Sequence, residues 1–407
     1  LEAQIRFYRS GERVDRVAYD IAWVADKDSV VDTVNSFVEV YVDPRGKKGS
    51  WQGIVSYEDP KKAALIKSLA QNAQWFEDHM PFDACYRKPS VKGISARSID
   101  VVLETGDCGP VTPIGINLPN DQAVREQHGS KSVSLANIVE AYAQSTPSGA
   151  RAEFAWDTAE SARAEKWVAL TGDLLTNMHE VIGHACGRQA ADKQGEPAQW
   201  IREYYSALEE ARADLVALYF MMDPKLSELG LLDDPDDAAL ASYEQYVRNG
   251  GLQQLRRIKD GNQIEEDHMR NRQMVVRWIQ RNSAAIEERT RDGKHFLVVA
   301  SAAQFRAAAG RLLALVQDIK STGDYARAKA LFDAHGVSFD PKLRDEIVER
   351  YTHLDIAAYT GCVFPRLTPV TNAAGEVVDV AISYPLSMER QMLEWSGRAQ
   401  PGVDSRP

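Results

Sequence analysis

Met178-His179-Glu180-Val181-Ile182-Gly183-His184 closes a helix-like run that starts near Trp167, and its spacing is unusual. Two histidines at i and i+4, with a glutamate after the first, lie about 40° apart on one helix face and can share a zinc ion. Here the histidines are five positions apart. At about 100° per residue a regular helix would hold them about 140° apart, too far round for one ion. A single π-turn would bring them together, and such turns occur mostly at functional sites. Gly183 is the residue best suited to absorb the extra backbone step, because it has no Cβ.

Some two dozen residues downstream stands Glu209-Glu210-Ala211-Arg212-Ala213-Asp214, on a helical pattern that continues through Leu215, Leu218 and Tyr219. Glu210 and Asp214 share a face, beside an apolar stripe of Leu208, Ala211, Leu215 and Leu218. By itself such an acidic run reads as a solvated helix face. Following a paired-histidine motif, it supplies a third zinc ligand. Two histidines and one glutamate leave a fourth position open to water, the arrangement of catalytic zinc; structural zinc is usually closed by four protein ligands.

Outward from these helices the texture alternates. Residues 36–42 are β-rich and end in the turn Asp43-Pro44-Arg45-Gly46, while 58–80 carry apolar residues at helical period. Ile99–Leu103 reads as a strand, and a second extended stretch spans Val111–Leu118. After about Gly149 helical patterns follow at 160–190, 202–222, 241–258, 264–288, 302–320 and 324–335, with a short β-like piece at His295–Val299. Residues 360–385 return to strand-like patterning around an Asn372–Gly375 turn. The fold expected is α+β and predominantly helical, with a helical zinc-binding lobe, a smaller β-containing lobe, and the active site in the cleft between them. The segments assigned are 1–50 (β lobe), 51–88 (helical lobe), 89–144 (β lobe), 145–355 (helical zinc lobe) and 356–407 (return to the β lobe).

Composition bounds the function. The chain has 407 residues and a formal net charge of −11, with 44% hydrophobic and 26% charged residues. These are globular values for two or three folding units, and they exclude wholesale disorder. The acidic balance argues against binding nucleic acid by phosphate neutralisation. No glycine fingerprint for a dinucleotide or a nucleotide phosphate is present. The longest apolar run, Leu215–Met222, is far too short to span a bilayer. Cys85, Cys108, Cys186 and Cys362 are widely scattered, as expected of reduced thiols in a cytoplasmic protein. The chain opens at Leu1 without a methionine, so an upstream segment or module is expected.

The two motifs together resemble the M49 metallopeptidases, the dipeptidyl peptidase III family, marked by H-E-x-x-G-H and a downstream E-E-x-R/K-A-E/D. Both stand here in full, at His179–His184 and Glu209–Asp214. Further similarity lies in Tyr41-x-Asp43-Pro44-x-Gly46, Gly115–Asn120, Ser132-Val133-Ser134-Leu135-x-Asn137, His268-Met269 with Arg272, and Ser321–Asp324. The resemblance implies one zinc ion held by His179, His184 and Glu210, with Glu180 as general base. It implies that Glu209 and Asp214 orient the histidines and that His268 steadies the reaction intermediate. Asn117, Asn120, Arg272 and Asp32 are implied to bind substrate, with the strand before Asn120 docking a short peptide by strand addition. Asp32 replaces the family's usual glutamate for the substrate ammonium, and Val34 replaces a substrate-contacting tyrosine. Release of dipeptides from the free amino terminus is the activity implied. An aminopeptidase or endopeptidase of altered specificity, or a zinc-containing peptide-binding scaffold without turnover, are the alternatives. In some relatives a Nudix module precedes this region.

Overall fold

The computed structural model describes residues 1–27, 29–38, 47–58, 60–91, 95–106, 108, 114–121, 124, 127–129, 131–145, 148–193, 197–354, 356, 364–384 and 387–397. The chain begins with helices α1 (Glu2–Ser10) and α2 (Arg13–Ala25), then strands β1 (Val31–Ser36) and β2 (Gln52–Glu58). Helices α3 (Pro60–Gln71) and α4 (Ala73–Asp78) follow, and the chain returns to strands β3 (Ser95–Gly106), β4 (Gly115–Leu118) and β5 (Lys131–Leu135). Helices α5 (Ala136–Ser145), α6 (Ser148–Phe154) and α7 (Thr158–Met178) lead into a π-turn at His179–Gly183. Then come α8 (Pro197–Ile201), α9 (Tyr205–Phe220), α10 (Pro224–Glu228), α11 (Pro235–Gly251) and α12 (Asp267–Asn282). The remainder is a hairpin, β6 (Ile286–Arg291) and β7 (Lys294–Val299), helices α13 (Ala302–Thr322), α14 (Tyr325–His335) and α15 (Pro341–Thr352), a second hairpin, β8 (Arg366–Thr371) and β9 (Val377–Ser383), and α16 (Met388–Trp395).

Among the described residues five strands form one sheet in the order β1-β2-β3-β5-β4. Only β3 and β5 are parallel among the described residues, and β4 is an edge. Alternation puts Val34, Ile54, Val101, Leu118, Val133 and Leu135 on one face, where Tyr19, Trp23 and Val24 of α2 cover them. The larger core is helical. Its axis is α9, where Leu208, Ala211, Ala213, Leu215, Val216, Ala217 and Leu218 are all fully buried. A helix apolar on every side belongs inside a protein. That placement takes Glu209, Glu210 and Asp214 out of bulk water, against the solvated-face reading of an isolated acidic run.

Several boundaries differ from the sequence reading for local reasons. Strand β1 ends at Ser36, so the run 36–42 starts where the strand stops; 39–46, with the turn at 43–46, lie outside the described residues. The sheet extends through β2 to Glu58, past the boundary set at residue 50. The helix expected over 264–288 stops at Asn282. There the Ser283 hydroxyl donates to the Ile279 carbonyl (2.7 Å) and accepts from Ala285 N–H (3.2 Å), and the chain enters β6. The helix expected from 241 already starts at Pro235, where Asp234 accepts from Asp237 N–H at 3.2 Å. The Asn372–Gly375 turn forms, with Gly375 at φ +80°. Among the described residues its hairpin pairs only with itself, and both its faces are exposed.

Candidate metal centre

Helix α7 starts on a capped turn, with Asp157 accepting from Glu160 N–H at 2.8 Å. It runs regularly to Met178 and then widens. His184 N–H donates to the His179 carbonyl (3.0 Å), a five-residue step in place of the usual four. The two imidazoles end with ring centres 4.7 Å apart and planes 86° apart. Donor atoms of His179, Glu180 and His184 all lie within 4.8 Å of one another. Gly183 serves this geometry by its size. A Cβ there would sit 2.8 Å from Ala213 Cα and 2.9 Å from Ala213 Cβ, so α9 can reach the π-turn only over a glycine.

Each histidine is oriented by a carboxylate of α9. His179 Nδ1 lies 2.8 Å from Asp214 Oδ1, and His184 Nδ1 lies 3.1 Å from Glu209 Oε1. With Nδ1 committed on both rings, Nε2 is the atom each offers to a metal. His179 Nε2 is 3.3 Å from Glu210 Oε2. A proton on Nε2 bridges the pair as a hydrogen bond when no metal is bound, and a cation can take the proton's place. The distance equals the edge of a tetrahedron built from zinc bonds of about 2.0–2.1 Å, about 3.3–3.4 Å. Two imidazoles with neighbouring carboxylates, Glu180 within 4.8 Å of both rings and Glu210 beside His179, are donor types that fit a zinc ion.

The electrostatics are consistent with a site made for positive charge. Burial alone would lower the basicity of His179, but Asp214 and Glu210 reverse this and hold it well above its ordinary range. Burial would raise Glu209, yet Arg212, Lys320 and His184 hold it well below the usual carboxylate range. Glu210 and Asp214 are lowered in the same way, His179 outweighing their burial. Tyr246 donates to the second oxygen of Asp214 at 2.8 Å.

Glu180 leaves the π-turn with one carboxylate oxygen, Oε2, buried and without a hydrogen-bond partner among the described residues. Edge strand β4 passes beside it, since a Cβ on Gly115 would lie 3.3 Å from Glu180 Oε1. His268 stands at the start of α12, where Glu266 accepts from His268 N–H (3.0 Å) and Met269 N–H (2.8 Å). The Glu266 carboxylate also holds His268 Nδ1 at 2.6 Å, which leaves His268 Nε2 3.6 Å from Glu210 Oε2. One turn later Arg272 lines a cavity of about 330 Å³ with Asp214, Tyr246, Gln245, Asn249 and Ile114.

The residues expected at a substrate's amino terminus are placed differently. Asp32 is held from four sides: Trp23 Nε1 (3.1 Å) and Thr33 N–H (2.7 Å) donate to Oδ1, while Lys131 Nζ (3.1 Å) and Arg97 Nη1 (3.7 Å) face Oδ2. Lys131 is wholly buried, with its ammonium 4.4 Å from the Trp23 ring centre. Asn120 donates to the Val38 carbonyl at 2.9 Å and borders a small cavity with Tyr19, Asp20 and Trp23. Asn117 lies in β4, its side chain outside the described residues. Sequence reading missed Tyr246, Glu266, Arg212 and Lys320. Arg212 stands inside the second motif and Lys320 directly before Ser321–Asp324, so adjacency was the available signal; Tyr246 carried none.

Among the described residues no helix is long and apolar enough to cross a membrane. A family model described as Peptidase family M49 matches residues 1–199 and 192–351. Dipeptidyl peptidase 3 of Nematostella vectensis is 26% identical over 352 residues, 77% of this chain and 47% of that protein. Nudix hydrolase 3 of Arabidopsis thaliana is 30% identical over 244 residues, covering 57% of this chain and 30% of that protein. A solved structure of DPP III from Caldithrix abyssi shares the fold, with a TM-score of 0.68 and 23% identity over 83% of this chain and 62% of that one. The chain spans about half the length of the dipeptidyl peptidase 3 relatives it matches. Matched by the family model through residue 351, and carrying both histidine and carboxylate motifs intact, the chain belongs to peptidase family M49.

Proposed function

We propose that this chain is the catalytic part of a zinc peptidase that hydrolyses short peptides two residues from the free amino terminus. The observation that carries the reading is the pair of perpendicular imidazoles, each with Nδ1 tied to a carboxylate, beside a third carboxylate 3.3 Å from His179 Nε2. His179, His184 and Glu210 would hold one zinc ion. When bound, it supplies Lewis acidity, making water more acidic and drawing electron density from the scissile carbonyl. Glu180, whose buried Oε2 has no partner among the described residues, takes the proton of the attacking water and passes it to the departing amine. His268, aimed by Glu266, donates to the oxygen that gains negative charge, a role typically worth a few kcal/mol. The exposed edge of β4, with Asn117 and Asn120, docks the peptide as an added strand, and Arg272 binds substrate within the adjoining cavity. In this reading residues 145–355 form the zinc lobe, and Cys85 and Cys186, which form no disulfide among the described residues, fit a reducing, cytoplasmic setting.

One observation favours a second reading of the register. Asp32 already carries the Lys131 ammonium and the Arg97 guanidinium, so a substrate ammonium would have to share it. Cleavage after other than two residues, or within N-blocked peptides, follows if it cannot. The test is zinc titration and peptide turnover on wild type, Glu180→Ala and His268→Ala, using N-terminally free and N-blocked peptides. Glu180→Ala should retain zinc and lose at least several hundred-fold in turnover, and His268→Ala should lose turnover more than metal. Unchanged turnover in Glu180→Ala sinks the assignment. Cleavage of free peptides two residues in supports the dipeptidyl register; cleavage one residue in moves it to an aminopeptidase, and equal cleavage of blocked peptides to an endopeptidase.

A further inference from the structure

We propose that Lys320 is a positioning residue of the metal centre, acting through Glu209 on His184. The inference rests on the zinc reading above and adds a residue from a helix that contributes neither motif. Glu209 Oε1 faces His184 Nδ1 (3.1 Å) and accepts from Arg212 Nη2 (2.5 Å). Its second oxygen accepts from Arg212 Nε (2.9 Å) and from Lys320 Nζ (2.6 Å). Lys320 belongs to the last turn of α13, 111 residues further along the chain. The ring of His184 therefore inherits its orientation from a carboxylate that two cations hold.

Arg212 is shared with other acceptors. It is fully buried, and it also donates to the Cys186 carbonyl (3.0 Å) and the His184 carbonyl (3.4 Å). Lys320 gives Glu209 a donor anchored elsewhere, and the anchor is rigid. The last turn of α13 is joined to the segment leaving the π-turn by Ser321 Oγ donating to the Arg188 carbonyl (2.7 Å). Ala190 N–H in turn donates to the Ser321 carbonyl (2.9 Å). Gln317 donates to the same hydroxyl at 2.9 Å. An unrestrained carboxylate one residue from a metal ligand is itself attracted to a divalent cation and competes with Glu210 for it. The Lys320 ammonium holds it back, on the outer side of His184, where it orients the ring.

The experiment measures zinc affinity by chelator competition, the visible spectrum of the cobalt-loaded protein, and thermal unfolding of the metal-free protein. It compares Lys320→Met, Lys320→Arg, Glu209→Gln and the Glu209→Gln/Lys320→Met double variant, with Lys329→Met as an exposed control on the next helix. Lys320→Met should weaken zinc binding about 10–100-fold and shift the cobalt bands, and Lys320→Arg should recover most of the loss. The double variant should bind zinc no worse than Glu209→Gln, since both changes remove one linkage. Wild-type affinity in Lys320→Met, or losses that simply add in the double variant, overturns the proposal. So does a zinc loss matched by an equal collapse of the metal-free fold that Lys320→Arg does not repair. If wild type binds no zinc, or binds it undiminished after His179→Ala, the metal reading fails first.

Discussion

A methyl group at Gly183 would lie 2.8 Å from the Cα of Ala213, and nothing at that contact is a flexible side-chain end that could yield. The glycine was expected to ease the backbone through the extra residue of the π-turn, yet its φ is not in the left-handed region. Its role is close approach. Glycine lets α9 come near enough for Glu209 and Asp214 to reach the back of two imidazoles. Gly183→Ala is accordingly expected to cost about 1–3 kcal/mol in stability and to weaken zinc binding. Urea unfolding and zinc titration read the two effects; full stability with intact affinity would show that α9 has room to spare. Sequence pointed to the residue, because a glycine between two histidines at odd spacing asks for an explanation. It could not give the reason, since Ala213 lies thirty positions away.

The first fifty residues offered mixed patterning, and two helices emerged there. The cause is visible on α2, whose buried face carries Asp20 beside Tyr19, Trp23 and Val24. A charge on the inner stripe spoils the periodicity by which a helix is read. Burial pushes the Asp20 carboxyl up to about 6, and Arg16 only partly offsets it. Between its ordinary value of 3.8 and about pH 6 the folded chain keeps a proton that the unfolded chain has released. Stability from this group therefore falls as pH rises through that window, and the penalty is complete above it. Asp20→Asn should raise stability by about 1–3 kcal/mol at pH 7 and by almost nothing below pH 4, as read from urea midpoints. A gain of equal size at both pH values would mean that burial of charge is not the cause. Elements with clean patterns, such as α13 and α14, needed no such correction, and their caps at Ser301 and Asp324 stand where the pattern begins.

At the scale of the molecule, the sheet and the helical core meet where β4 passes Glu180, so a peptide added to that edge arrives beside the proposed base. A metal held by α7 and α9 together links elements that the core already packs, and it should stabilise the folded chain by mass action. Saturating zinc is expected to raise the unfolding temperature by several degrees over chelator-treated protein, with His179→Ala insensitive to the difference. Equal melting temperatures in zinc and chelator would remove the metal from the account. The sequence by itself determined the metal motif, its odd spacing, the need for a π-turn and the acidic helix that answers it. These are local: they depend on the rotation per residue and on neighbours within one or two turns. Tertiary structure alone decided that Tyr246 backs Asp214, that Lys320 reaches Glu209, and that Lys131 already occupies Asp32. Those three pairings join residues far apart in the chain, and long-range partners leave no periodic trace because packing, not spacing, brings them together.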